Sequence, residues 1–235
     1  MKWKTSMKYQ ITESIKPLAI FYGILYGLVG ITLVISRAVA DVGGFSGMES
    51  STMVFLLFCG VFSFVEDFRF FLQNGMTRRM IFQSECAQFF LISLFMMLVE
   101  TGMGALLHWL AGYESMFHLI YGHSYFVGVE MLWRFVVYLM IVNTAFLFTL
   151  IQNRVGKVAF ILGCLTIGLA LVVLLPSINM ALDGAIADAV FPFLAKLMGF
   201  AGGAVHMAYP ILTFLAVTAA VSLASYLMLR RAELK

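Results

Sequence analysis

Long apolar runs separated by short polar breaks dominate this chain. Six runs stand out, at residues 17–39, 52–71, 83–110, 127–151, 158–175 and 209–229. Each approaches or exceeds the roughly 20 residues that a helix needs to cross about 30 Å of hydrocarbon. None has the two-residue alternation over ~10 residues that marks a barrel strand. The pattern predicts an all-α, polytopic membrane protein with six transmembrane helices, forming a single transmembrane domain over residues 1–235. The first run is longer than the ~7–15 apolar residues of a signal peptide, and Arg37 interrupts it just before the small residues, so it is expected to stay as a span.

The break between the second and third runs reads "FLQNGMTRRM", residues 71–80. Before it, Phe68, Phe71, Leu72 and Met76 fall on one helical face. Asn74-Gly75 is a helix stop, because glycine takes the left-handed conformation without strain. Thr77 is an N-cap for the next helix. The segment therefore reads as helix, sharp turn, helix, with Phe71 and Leu72 on a face free for docking. Arg78 and Arg79 then occupy the first turn of a helix, where the macrodipole disfavours cations by about 0.3–1 kcal/mol each.

Composition narrows the class. The chain is 62% hydrophobic and 11% charged, against about 45–50% and 25% for a soluble domain. Twelve of its fifteen basic residues lie at the N-terminus, at breaks two-to-three and four-to-five, and at the C-terminus. Arg37, Arg134 and Lys196 are the exceptions. The positive-inside rule then puts both termini and the "FLQNGMTRRM" break in the cytosol. Three cysteines, Cys59, Cys86 and Cys164, form no disulfide or zinc pattern. The sequence has no P-loop, zinc-protease or serine-hydrolase motif, so no nucleotide-binding or catalytic role falls to this chain.

The run "EDFRFFLQNGMTRRMIF" resembles the first cytosolic loop of a family of small bacterial ABC transporter permeases. These are the ABC-2 type (type V exporter-like) six-span proteins common in Gram-positive bacteria. Glu66, Asp67, Phe68, Phe71, Gln73, Asn74, Gly75, Thr77, Arg78 and Arg79 match the family's loop in order, and the ending "LRRAELK" resembles its basic tail. The resemblance implies a cytosolic coupling helix between spans two and three, docked in a groove of a separate ATPase. Two ATPase and two permease subunits would form the working unit. It implies a multi-pass protein of the bacterial plasma membrane, with ATP and Mg bound on the partner ATPase and no cofactor on this chain. Acidic residues in the ATPase groove would account for Arg78 and Arg79. Cargos in the family include antimicrobial peptides, amphipathic toxins such as phenol-soluble modulins, drugs and lipids. An amphipathic or hydrophobic cargo is expected, with membrane lipid as solvent and no nucleic acid as partner. The alternative is a secondary transporter or small channel without an ATPase. The scarcity of deep ionisable residues beyond Glu100 and Arg134 argues against it.

The remaining features are less specific. Residues 176–210 are punctuated by Pro176, Pro192, Gly202, Gly203 and Pro210. They read as a re-entrant helical hairpin in the outer leaflet before the last span. Gly23, Gly27 and Gly30 have the spacing of a close helix interface, which the resemblance places between two permeases. Glu100 and Arg134 lie at similar depth and are expected to pair, as structure or as a cargo pathway. His108, Glu114, His118 and His123 read as solvated interfacial residues. Trp109, Tyr113, Tyr121, Tyr125 and Trp133 read as an aromatic belt. Asn143 and Thr144 are expected to bond between helices.

Overall fold

The computed structural model describes residues 2–38, 46–122, 125–182, 185–201 and 204–230. The side chains at 2–6, 36–38, 64–67, 69, 70, 175, 186, 201 and 204 fall outside that description. Helix α1 (Lys2–Ala38) is followed by α2 (Met48–Gln73) and α3 (Arg78–Ala111). A short α4 (Met116–Tyr121) leads into α5 (Val127–Val155). Helix α6 (Lys157–Leu169) continues through one π-helical turn, Ala170–Leu174, into α7 (Leu175–Ala181). Then come α8 (Ala185–Leu197), a two-residue antiparallel pair of β1 (Phe200–Ala201) and β2 (Ala204–Val205), and α9 (Ala208–Arg230).

Five stretches among the described residues are long and apolar enough to cross a membrane: Met7–Ile35, Arg78–Ala111, Val127–Val155, Lys157–Ala181 and Ala208–Arg230. The described apolar part of α2, Met48–Ser63, is shorter than these. This is a membrane-embedded helical protein.

Helix α5 is the centre of the bundle. It packs against α2, α3, α6 and α9, and Tyr138, Val142 and Phe146 are almost fully enclosed. Asn143 joins α5 to α9 by accepting from the Ser222 hydroxyl at 3.0 Å, as expected of it. Thr144 instead bonds back to the Met140 carbonyl of its own helix.

Helices α2 and α5 approach closely at Gly60. A Cβ there would lie 2.5 Å from the Val142 carbonyl oxygen and 2.7 Å from the Ala145 Cβ. Both obstacles sit on helix α5 and cannot swing away. Gly23, Gly27 and Gly30 behave oppositely, with nothing within 4 Å of a Cβ built on them. The small-residue contact that this chain uses internally is therefore on α2 and not on α1. Gly60→Ala is expected to destabilise the bundle by about 1–3 kcal/mol through overpacking. Gly27→Ala should be close to neutral for the isolated chain. Unfolding midpoints of the two variants in mixed micelles check this.

The π turn has a local cause. Pro176 lacks an N–H and its ring crowds the carbonyl one turn earlier, so the helix widens there instead of breaking. The fifth span thus runs on to Ala181, six residues past the expected end. No described residue of α6, of the π turn or of α7 is buried. After α8, which carries Pro192 inside it, the chain is not helical, contrary to a purely helical hairpin. Gly199, at φ 91°, turns it into the β pair. The Tyr121 and Tyr125 hydroxyls donate to the Met198 and Val205 carbonyls, both at 3.1 Å, and fasten that segment to the α4 side of the bundle.

Candidate functional site

The "FLQNGMTRRM" elbow follows its expected local geometry. Gly75 has φ 70°. Its N–H donates to the Leu72 carbonyl, and the Met76 N–H donates to the Phe71 carbonyl, both at 3.0 Å. These are the two bonds of a Schellman stop, accompanied by the usual apolar contact of the flanking residues in one core cluster. Thr77 caps α3 by accepting from the Met80 N–H at 3.4 Å. The connection is this turn alone, without a separate coupling helix.

The direction of the apolar face departs from expectation. Phe68, Phe71 and Met76 are buried in the chain's own core with Ile81, and Leu72 is half-buried. Phe71 also meets the Tyr9 ring edge-on, with centroids 6.3 Å apart. They anchor the elbow and do not form a docking face, because a face at a helix end is drawn first to apolar neighbours already present. What the elbow offers outward is Gln73, Asn74, Gly75, Thr77 and Arg79, all exposed. The side chains of Glu66, Asp67 and Arg69 lie outside the described residues.

Arg78 finds an internal partner. Its Nη1 donates to the carbonyl of Arg230, the last residue of α9, at 2.6 Å. The partial negative end of α9 thereby offsets the unfavourable N-terminal position of the arginine. This removes the need for an outside acid at Arg78.

At the opposite end, two buried carboxylates converge on one guanidinium. Arg134, 2% exposed, pairs through Nη2 with Glu130 at 2.6 Å and Glu49 at 3.3 Å. Its Nη1 donates to the Thr101 hydroxyl at 2.7 Å. Glu49 and Glu130 stand in the first turns of α2 and α5, where the helix dipoles favour anions. Tyr113 donates to Glu49 at 2.5 Å. Burial, and then this bond to a carboxylate, push the Tyr113 phenol well above its ordinary pKa, so it remains a donor. His118 lies 3.4 Å from Glu130.

The expected direct pair of Glu100 and Arg134 is not formed. Glu100 accepts from the Thr52 and Tyr138 hydroxyls, and Arg134 is taken by the two acids at the helix ends. Both residues still belong to one buried cluster, with Thr101 next in sequence to Glu100. Glu49 and Glu130 escape a reading by depth along the chain, because residues 112–121 fold over them. Glu130-x-x-x-Arg134, an i,i+4 acid–base pair, was a legible signal. His118 is half-buried beside Glu130, and His123 lies outside the described residues. No metal-holding group of His, Cys, Asp and Glu occurs among the described residues. Of the supposed aromatic belt, Trp109 is 80% exposed as expected, but Tyr113, Tyr121 and Trp133 are buried as packing.

A second polar network lies between α1, α2 and α3, nearer the elbow. Glu85, 2% exposed, accepts from Gln10 Nε2 at 2.9 Å and from the Ser63 hydroxyl. Ser84 donates to Gln10 Oε1. Gln88 Nε2 donates to Ser14 at 3.0 Å. These residues lie beside the start of the third apolar run, where polar side chains read as the end of a span. In the fold they tie α1 to the bundle.

No protein-family model matches this chain, and no curated protein or solved structure matches it.

Proposed function

We propose that this chain is the membrane-spanning permease subunit of an ATP-driven ABC exporter, powered by a separate ATPase. In this reading α2 is the sixth span beside the five long apolar helices. Both termini and the elbow are cytosolic, in a bacterial plasma membrane. Two permeases and two ATPases assemble, with the open Gly23, Gly27 and Gly30 face of α1 available to a second permease. Helix α8 with the β pair forms a re-entrant cap over the outer end. The cargo is amphipathic or hydrophobic, with a peptide toxin or antimicrobial peptide favoured over a drug or lipid.

The observation that carries this reading is the construction of the elbow. Its exposed polar tip is backed by Phe68, Phe71 and Met76 in the core and by the Arg78 link to the end of α9. A load applied at the tip by an ATPase is therefore passed into several spans at once.

A second reading, a transporter driven without an ATPase, is favoured by a different observation. Glu49, Glu100 and Glu130 are all buried around Arg134, so buried ionisable residues are more numerous than the sequence suggested. Co-purification and vesicle transport separate the two. The exporter reading expects tagged protein to bring down an ATPase. Arg79→Glu combined with Asn74→Ala, both at exposed positions, should then abolish capture and leave unfolding unchanged. Absence of any ATPase, together with transport driven by a proton gradient alone, would overturn the exporter reading in favour of the second.

A further inference from the structure

Between α1 and α3 runs a groove enclosing about 570 Å³. That lies within the roughly 300–1,000 Å³ range of small-molecule sites. Its wall is apolar, with Ile92 and Phe95 among its residues, and its polar lining consists of Ser14, Tyr22, Tyr26 and Gln88. Among the described residues, no Lys, Arg, Asp or Glu lines it.

Three buried polar atoms in this wall have no hydrogen-bond partner: the Tyr22 and Tyr26 hydroxyls and Gln88 Oε1. Gln88 is 8% exposed, and its amide orientation is fixed by chemistry. Ser14 spends its hydroxyl proton on the Gln10 carbonyl at 2.8 Å, so its oxygen can only accept. The Gln88 NH₂ must face it, which it does at 3.0 Å. Oε1 is thereby left as a free acceptor. The two tyrosine rings stack at 5.5 Å, one helical turn apart, and add two hydroxyls.

Lipid tails can fill the apolar part of such a groove, but they bring no hydrogen-bonding atom to satisfy these groups. We infer that the α1–α3 groove binds a neutral, elongated apolar molecule whose head carries a hydroxyl or amide. The head donates to Gln88 Oε1 and accepts from the Tyr22 or Tyr26 hydroxyl, and the body lies against Ile92 and Phe95. Neutrality follows from the uncharged lining, since an ion there would be left unpaired. The length matches as well, since the lining residues of α3 from Gln88 to Val99 extend over about 16 Å. This site stands on its own geometry, whichever energy source drives the protein.

The test uses the full chain in lipid nanodiscs and a photoactivatable dodecanol analogue, with labelled residues mapped by mass spectrometry. Labelling is expected on α1 and α3 around Tyr22 and Ile92, displaced by dodecanol but not by dodecane or dodecyl sulfate. Tyr22→Phe with Tyr26→Phe, which keeps shape and fold, should weaken labelling about tenfold, as should Gln88→Leu. Equal displacement by dodecane would make the groove a seat for lipid tails only and overturn the proposal. Wild-type labelling in the Tyr22→Phe, Tyr26→Phe variant would overturn it as well.

Discussion

Arg134→Gln is expected to lower stability by roughly 3–5 kcal/mol, the range for removing one partner of a buried ion pair. The charge count explains the size. Among the described residues, Arg134 is the only lysine or arginine in direct contact with Glu49 and Glu130, and it supports Thr101 as well. Without it, two enclosed carboxylates remain with tyrosine, histidine and backbone donors but no guanidinium. The cost arises from those stranded acids more than from the lost attraction, so it should be recoverable. Arg134→Met combined with Glu49→Gln and Glu130→Gln is expected to restore most of the stability, because the charges leave together. Glu100→Gln should cost less than Arg134→Gln, since its partners are the neutral hydroxyls of Thr52 and Tyr138. Unfolding midpoints in mixed micelles for the three variants decide the matter. A triple variant no better than Arg134→Gln would show that shape, not charge, is what the arginine supplies.

How much of this could be read from the chain depends on the range of each interaction. The elbow was legible because its determinants are local. Gly75 and Thr77 act on backbone groups within five residues, and both do what their residue types imply. The spans were legible because apolar length is a property of the run itself. What was not legible depends on partners far away in sequence. Arg78 meets Arg230, 152 positions on. Periodicity identified the Phe68, Phe71 and Met76 face but not its destination, since an apolar stripe packs equally well against a partner protein or its own bundle. Glycine spacing pointed to α1, whereas a lone Gly60 makes the contact, because closeness is decided by where α5 crosses. Glu49 and Glu130 lie near the ends of apolar runs, and their burial depends on residues 113–118, which fold against them. The unpaired atoms of the α1–α3 groove leave no trace in composition, since tyrosine and glutamine in a span usually signal a bond between helices.

Phe71→Ala is expected to destabilise the protein by about 3 kcal/mol, at the low end of the Phe→Ala range. The low end applies because a helix left in lipid still keeps its apolar surface out of water, so the transfer contribution shrinks and the cavity contribution dominates. Phe71 is 1% exposed, touches Tyr9 of α1 and supplies the carbonyl that stops α2. Its loss should therefore loosen α1 and the elbow together. Leu72→Ala, at a half-buried position, should cost less, and Arg79→Ala, at the exposed tip, should cost almost nothing. Phe71→Leu, which retains most of the volume, should recover the greater part of the loss. The same series addresses coupling. If Phe71 is an anchor, Phe71→Leu keeps whatever partner the elbow engages, and Arg79→Glu loses it without a change in unfolding. The opposite pattern, with Phe71→Ala as stable as the parent but unable to capture a partner, would put the ring at an intermolecular surface and return the apolar face to a docking role.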